Sequence, residues 1–258
     1  MPAQPILICA ALPYECEALA RMLGAPRVEV DATGRRRHRG HVGGAPVVVQ
    51  ETGLGLEAAA RSATLALEEV SPCCLVASGL AGALSPAASV GDAIVPDRVA
   101  REGGETIEVD GTLRAVVAPH LPEKKSRRGL LISVDEVVRT RAQKADLVER
   151  TRADAVDMES AALLEQARRA GVAALVVRAA SDDSRHDLPD LGGLDLSRAA
   201  DQARLVGRTL LRPTMWLALA RLARGSRLAN RTLCDVLERT LPLLGAAAGR
   251  RTDPMGRQ

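Results

Sequence analysis

Residues 154–183 read DAVDMESAALLEQARRAGVAALVVRAASDD, with Asp157 and Glu159 at one end of an apolar stretch and Asp182 and Asp183 at the other. Carboxylates in such places can give or take a proton or grip hydroxyl groups. Each also has a plain structural use. Ser181 or Asp182 could cap a following helix, Asp157 and Ser160 could cap the helix after DMES, and Glu159 could favour that helix's dipole. Met158 could fill core. Singly, those uses suffice. Together, two carboxylate-bearing element ends beside interior strands converge on one crevice, and open α/β sheets gather ligands at the carboxyl ends of their strands.

Other segments exclude familiar chemistries. ETGLGLEAAA carries Gly53 and Gly55 but an alanine at the third position of the dinucleotide fingerprint, and no acidic residue follows in the required place. SGLAGAL lacks the Lys-Ser/Thr of a P-loop, although its glycines let backbone approach a ligand. His38, His41, His120 and His186 show no metal-binding spacing, and no G-x-S-x-G elbow marks a serine hydrolase.

The elements that must hold these residues follow from pattern. Ile6–Ala10 reads as a buried strand, and PYECEALARML as a helix with Pro13 at its start and Glu15 and Glu17 near its positive end. PRVEV, RRRHRGHV and APVVVQ read as strands around a turn at Gly34. A helix of about four turns follows ETGLG, CCLVASGLAGAL is a strand ending in a small-residue turn, and SVGDAIVPDRV resumes as strand. Residues 101–128 read as loop with a hairpin, GLLISVDEVV as a strand leaving for a loop, and Arg141–Arg152 as a helix. DAV, MESAALLEQARRAG and VAALVVRAA complete a strand–helix–strand unit, interrupted in its last strand only by Arg178. Strands alternating with helices indicate an α/β domain with a largely parallel sheet.

Composition sets the limits. The 258 residues suit one large or two small domains. The chain has no Phe, one Tyr (Tyr14) and one Trp (Trp216), so its core is built from Ala, Val and Leu. Its basic residues are arginines except Lys124, Lys125 and Lys144. The five cysteines lack metal or redox spacing, and the absence of an export signal or a membrane-length apolar run points to the cytoplasm. Residues 198–251 hold eleven arginines against Asp201, Asp235 and Glu238, a basic extension on an acidic body.

The ordered segments ICAALPYECEAL, VVVQETGLGLEAAARSATLAL, LVASGLAGALSPAASVGDAIVPDRV and AVDMESAALLEQARRAGVAALVVRAASDD resemble the purine nucleoside phosphorylase and nucleosidase superfamily from about residue 5 to 187. The resemblance implies a three-layer α/β/α fold with a central mixed, largely parallel sheet, over residues 1–190. It also implies cleavage of a purine N-glycosidic bond with no metal or organic cofactor. By motif match, Asp182 protonates the purine at N7, Met158 and Glu159 hold the ribose, and Glu15 positions the attacking water. Ser78, Gly79 and Gly82 belong to the loop beside sugar and nucleophile, and Ser181, Val137 and Val156 face the purine. A carboxylic acid that donates a proton needs burial or neighbours that keep it neutral. The chain departs from the family in two places. Val137 stands where the hydrolases stack a phenylalanine on the base, with Tyr14 as a further base contact. Residues 11–17 lack the arginine-bearing glycine loop of the hexameric phosphorylases, which favours water over phosphate as the nucleophile.

The tail, LLRPTMWLALARLARGSRLANRTL, is a Leu/Arg amphipath. It reads as a helical extension over 191–248, packed on the body or on a membrane through 205–232, followed by a disordered 249–258. Together with AVDMES it resembles the hopanoid-associated branch of the superfamily. That resemblance implies adenosylhopane as substrate, contact with the inner face of the membrane, and a homodimer or larger homo-oligomer. Methylthioadenosine/adenosylhomocysteine nucleosidase, futalosine hydrolase and phosphate-dependent phosphorylase are the alternatives within the class. A non-catalytic nucleoside- or membrane-binding adaptor is the alternative outside it. Nucleic-acid binding is not expected, since no stacking platform accompanies the arginines.

Overall fold

The computed structural model describes residues 3–122, 126–189 and 213–249. Its elements in chain order are β1 (Ile6–Ala10), α1 (Pro13–Ala20), β2 (Gly24–Val30), β3 (Arg36–Val42), β4 (Ala45–Glu51), α2 (Leu56–Val70), β5 (Cys74–Ala83), β6 (Ala93–Ile94), β7 (Arg98–Arg101), β8 (Thr106–Glu108), α3 (Gly111–Val117), β9 (Ser126–Arg127), β10 (Leu130–Ser133), α4 (Arg141–Thr151), β11 (Ala155–Asp157), α5 (Ser160–Arg169), β12 (Ala173–Asp182) and α6 (Pro213–Gly249).

All twelve strands belong to one mixed sheet. β1, β4, β5 and β12 form its parallel centre, because the aliphatic runs ILICA, CLVASGLAGA and AALVVRAA are covered on both faces. β5 is the branch point: it pairs in parallel with β1 and β12 and, at its end, antiparallel with β11. On the helical side, α2 packs against α5, while α6 packs against α1 and α3, so two helix layers enclose the sheet. The hairpin expected in 101–128 is present as β7–β8, and the following GTLRAVV forms α3 rather than loop. Asp110 caps that helix by accepting a hydrogen bond from the Leu113 amide (3.0 Å), with Leu113 and Val117 buried beneath it.

Pro213 stands at the start of a single helix of 37 residues, about 55 Å long at helical rise. Ala229, Leu233, Val236, Leu237, Leu241 and Leu244 recur at helical spacing and join the main core with Ile6 and Leu75. Pro242 lies inside the helix, packed near Gly43 of the β3–β4 turn. The N-terminal part of α6 is different: Trp216 and Leu217 are 52% and 72% exposed. No helix among the described residues is long and apolar enough to cross a membrane. Residues 190–212 and 250–258, with the expectations placed on them, lie outside the described residues.

Candidate functional site

Three element ends meet around β5. The first is the turn from β1 into α1. Glu15 is buried, and one carboxylate oxygen accepts hydrogen bonds from the amides of Ala11 (3.1 Å) and Leu12 (3.0 Å). Its other oxygen accepts from the amide of Leu80 on β5 (3.0 Å). Burial pushes its pKa up, against the opposing pull of Arg178 and those three amides. Gly79 makes this approach feasible. A Cβ there would stand 2.5 Å from the Arg178 guanidinium and 3.2 Å from Glu15, at a φ of +140° that disfavours L side chains.

The second end is β11 running into α5. Arg178, the lone charge in the β12 aliphatic run, is buried and gathers this end together. Its guanidinium lies 2.7 Å from Asp157 and 3.6 Å from Glu159, and it donates to the Ser160 hydroxyl (3.1 Å) and the Ser78 carbonyl (3.2 Å). Asp157 also accepts from the Ser133 hydroxyl (2.5 Å) and from the Ser160 amide, so its capping use is real. Glu159 is held differently. One of its oxygens accepts from the Gly55 amide at the start of α2 (3.0 Å). Burial first, then the nearby Asp157, raises its pKa to about 7 despite Arg178. Met158 packs against the small cluster containing Ile132, Val134 and Val156.

The third end is β12 itself. No helix begins at Ser181; the strand continues to Asp182, and its register against β5 shifts between Ala180 and Asp182. Ser181 is the extra residue of this bulge, a device that re-aims a side chain. The Ser181 hydroxyl donates to the Ala81 carbonyl (3.3 Å) and lies 2.8 Å from an Asp182 oxygen. The bulge turns Asp182 toward Gly82, where an added Cβ would sit 3.1 Å from Val156 and 3.3 Å from the Asp182 carboxylate. Asp183 points elsewhere, accepting from the Arg185 amide (3.0 Å) and pairing with His186 (2.8 Å).

Lys144 of α4 was not singled out from sequence. It is 1% exposed, and its ammonium donates to an Asp182 oxygen and to the Asp183 carbonyl (2.5 Å). A cation beside Asp182 is the reverse of the surroundings that keep a carboxylic acid neutral. The sequence did hold a signal. Lys144 is one of three lysines in a chain whose other basic residues are all arginine, and it is the only described one.

The residues expected to face a base fall into two groups. Val156 and Ser181 adjoin Asp182, whereas Val137 is 49% exposed on the loop after β10. Ser78 is fully buried, and its hydroxyl has no hydrogen-bond partner among the described residues. A cavity of about 420 Å³ shares Gly55 with the Glu159 hydrogen bond and is also lined by Leu54, Arg35, Arg61, Thr52 and Ser62. It touches the carboxylate end of the site rather than Asp182. Tyr14, 44% exposed, hydrogen-bonds to Ser226 of α6, and burial of its ring together with Glu15 pushes the phenol up. Among the described residues, no cluster of three or more His, Cys, Asp or Glu side chains could hold a metal.

Comparison with known proteins gives the family and the fold. Residues 5–212 match the family model described as Phosphorylase superfamily. The chain is 29% identical over 202 residues to a 5′-methylthioadenosine/S-adenosylhomocysteine nucleosidase of Listeria welshimeri, covering 68% of this chain and 84% of the relative. It is 27% identical over 199 residues to the protein of that name from Aeromonas salmonicida, with the same coverage. In fold it is similar to S-adenosylhomocysteine nucleosidase of Streptococcus pyogenes in complex with 5-methylthiotubericidin (TM-score 0.75, 20% identity, 95% of this chain and 98% of that one). The Neisseria meningitidis nucleosidase in complex with methylthio-immucillin-A is comparably similar (TM-score 0.73, 18% identity, 92% and 98% of the two chains).

Proposed function

Since the chain belongs to the Phosphorylase superfamily, we propose that its cleft hydrolyses the N-glycosidic bond of an adenine nucleoside. One observation carries this reading: Glu15, Glu159 and Asp182, from three separate element ends, all adjoin the Ser78–Gly82 segment of β5 or the arginine bonded to it. Glycosidic cleavage of this kind passes through an oxocarbenium-like state. It needs negative potential and hydroxyl acceptors at the sugar, a proton for the leaving base, and a held water. Ionised Glu159 supplies the first and Asp182 delivers the second. Glu15, fixed by three amides, orients the water and takes its proton. The names of the curated relatives, both purine nucleosidases, support the same reaction class.

Within that class the finer proposal is a nucleoside whose sugar carries a bulky lipid group, adenosylhopane being the choice. Two features support it: the cavity beside the ribose carboxylate and the exposed Trp216–Leu217 turn on the helix that packs against the site. A basic amphipathic helix of this kind suits an anionic lipid surface.

The test is release of the free base from adenosylhopane, methylthioadenosine, adenosylhomocysteine and futalosine, each with and without phosphate. Adenine with free sugar, fastest from adenosylhopane, is the expected result. Preference for methylthioadenosine would move the assignment to the relatives' named substrates, and a sugar 1-phosphate product would make the chain a phosphorylase. Asp182→Asn is expected to lower kcat roughly a hundred- to ten-thousand-fold while the melting curve stays cooperative. Unchanged turnover would remove Asp182 from the mechanism.

A further inference from the structure

We propose that Lys144 is the proton store for Asp182: its ammonium reloads the carboxylate that protonates the leaving base. This inference rests on the nucleosidase reading above. A buried ammonium is costly unless paired, and this one has two partners, the Asp182 carboxylate and the Asp183 carbonyl. A purely structural ion pair would be more stably replaced by apolar residues. This one sits on the group that has to carry a proton.

The step balances. As the C1′–N9 bond breaks, its electron pair stays with the purine. The Lys144 ammonium passes a proton to the Asp182 carboxylate while the carboxyl so formed passes one to N7. Asp182 ends as carboxylate and Lys144 as neutral amine. Water adds to C1′ and yields its proton to Glu15; Glu15 releases that proton to solvent, and Lys144 recovers one from it. Burial makes this transfer feasible, because removal from water narrows the gap between ammonium–carboxylate and amine–acid. Lysine suits the task and arginine does not, since a guanidinium keeps its proton in proteins.

The geometry also makes Lys144 specific to Asp182. The second carboxylate, Asp183, offers it only a backbone carbonyl and spends its side chain on Arg185 and His186. The other charged groups nearby are Asp187, which accepts from the Arg141 amide (2.8 Å), Arg141 itself, and Arg139 before α4. Across the cleft stand Glu159 and Arg178.

The pH dependence of kcat for adenine release tests this role. In the wild type, the proton held by the pair keeps kcat high until the alkaline range, and His186→Asn leaves that limb in place. In Lys144→Met, Asp182 has no store to draw on and works only while it holds a proton of its own, so activity falls as pH rises. The deficit is therefore smallest at acid pH and grows to roughly a hundredfold or more at alkaline pH, with KM little changed. Lys144→Arg keeps the charge but has no proton to give, and is slow at every pH. A deficit in Lys144→Met that is equal at all pH values, or a fully active Lys144→Arg, would overturn the proposal. If neither variant folds, the wild-type profile decides alone: an alkaline limb already complete below neutrality means that Asp182 donates unaided. A wild type that releases no base from any adenine nucleoside refutes the nucleosidase reading instead, so the two failures are distinguishable.

Discussion

Glu159 shows how burial alone gives a carboxylate a working pH. Its pKa of about 7 comes mainly from desolvation, which brings its titration into the neutral range. Ribose hydroxyls donate hydrogen bonds to the ionised form. The affinity of a stable nucleoside analogue is therefore expected to fall as pH drops below about 7, approaching tenfold per unit, which calorimetry between pH 5 and 8 would show. The stability sign is opposite. A carboxyl whose folded pKa is raised favours the fold while protonated, and that contribution is lost as pH rises from the ordinary Glu range through about 7. Glu159→Gln should flatten this part of the melting-temperature profile; a profile identical to the wild type would show that Glu159 is ionised throughout. At this scale the sequence was only partly legible. The spacing in DMES and SDD marked Glu159 and Asp182, but Arg178 read as an interruption of a strand and Lys144 as an ordinary helix residue. Both act through contacts between segments far apart in the chain, which periodicity does not register.

At the scale of elements, the bulge at Ser181 and the helix lying on it are one device. α6 crosses β12 with Gly225 against the Ser181 carbonyl, and a Cβ there would come within 2.2 Å of that oxygen. Alanine in a helix interior usually gains about 1 kcal/mol over glycine. Here the added atom meets the Ser181 carbonyl and the Val90 side chain, and overpacking of that kind costs about 1–3 kcal/mol. Gly225→Ala is thus expected to lower the melting temperature and to reduce kcat by shifting Asp182. A stabilised, fully active variant would mean that α6 does not seat on the bulge. The strand and helix order was readable from hydrophobic runs and their punctuation, from Ile6–Ala10 through β12. The bulge was not, because one extra residue in SDD looks the same as a helix cap until β5 lies beside it.

At the scale of the whole molecule, charge and exposed apolar surface coincide on α6. Trp216 and Leu217 are exposed, and Arg221, Arg224, Arg227 and Arg231 follow on the same helix, all solvent-facing. Sedimentation with vesicles containing anionic lipid is expected to capture the protein at low salt. Replacing Trp216 and Leu217 together by serine should weaken that capture by roughly tenfold, in line with the loss of two buried apolar side chains at about 1.5–3 kcal/mol each, discounted for partial insertion. Equal capture of both proteins would remove the lipid surface from the functional reading. Deleting the tail would not be a clean alternative, because Leu233–Leu244 belong to the core shared with Ile6 and Leu75. That sharing has a consequence for biosynthesis. The core strands near the N-terminus wait, half covered, until the ribosome has made a helix whose buried residues include Ala247 and Ala248. A message cut short within that helix would yield a chain whose catalytic segments are all present and whose sheet lacks its cover, an exposed apolar face of the kind that aggregates during folding.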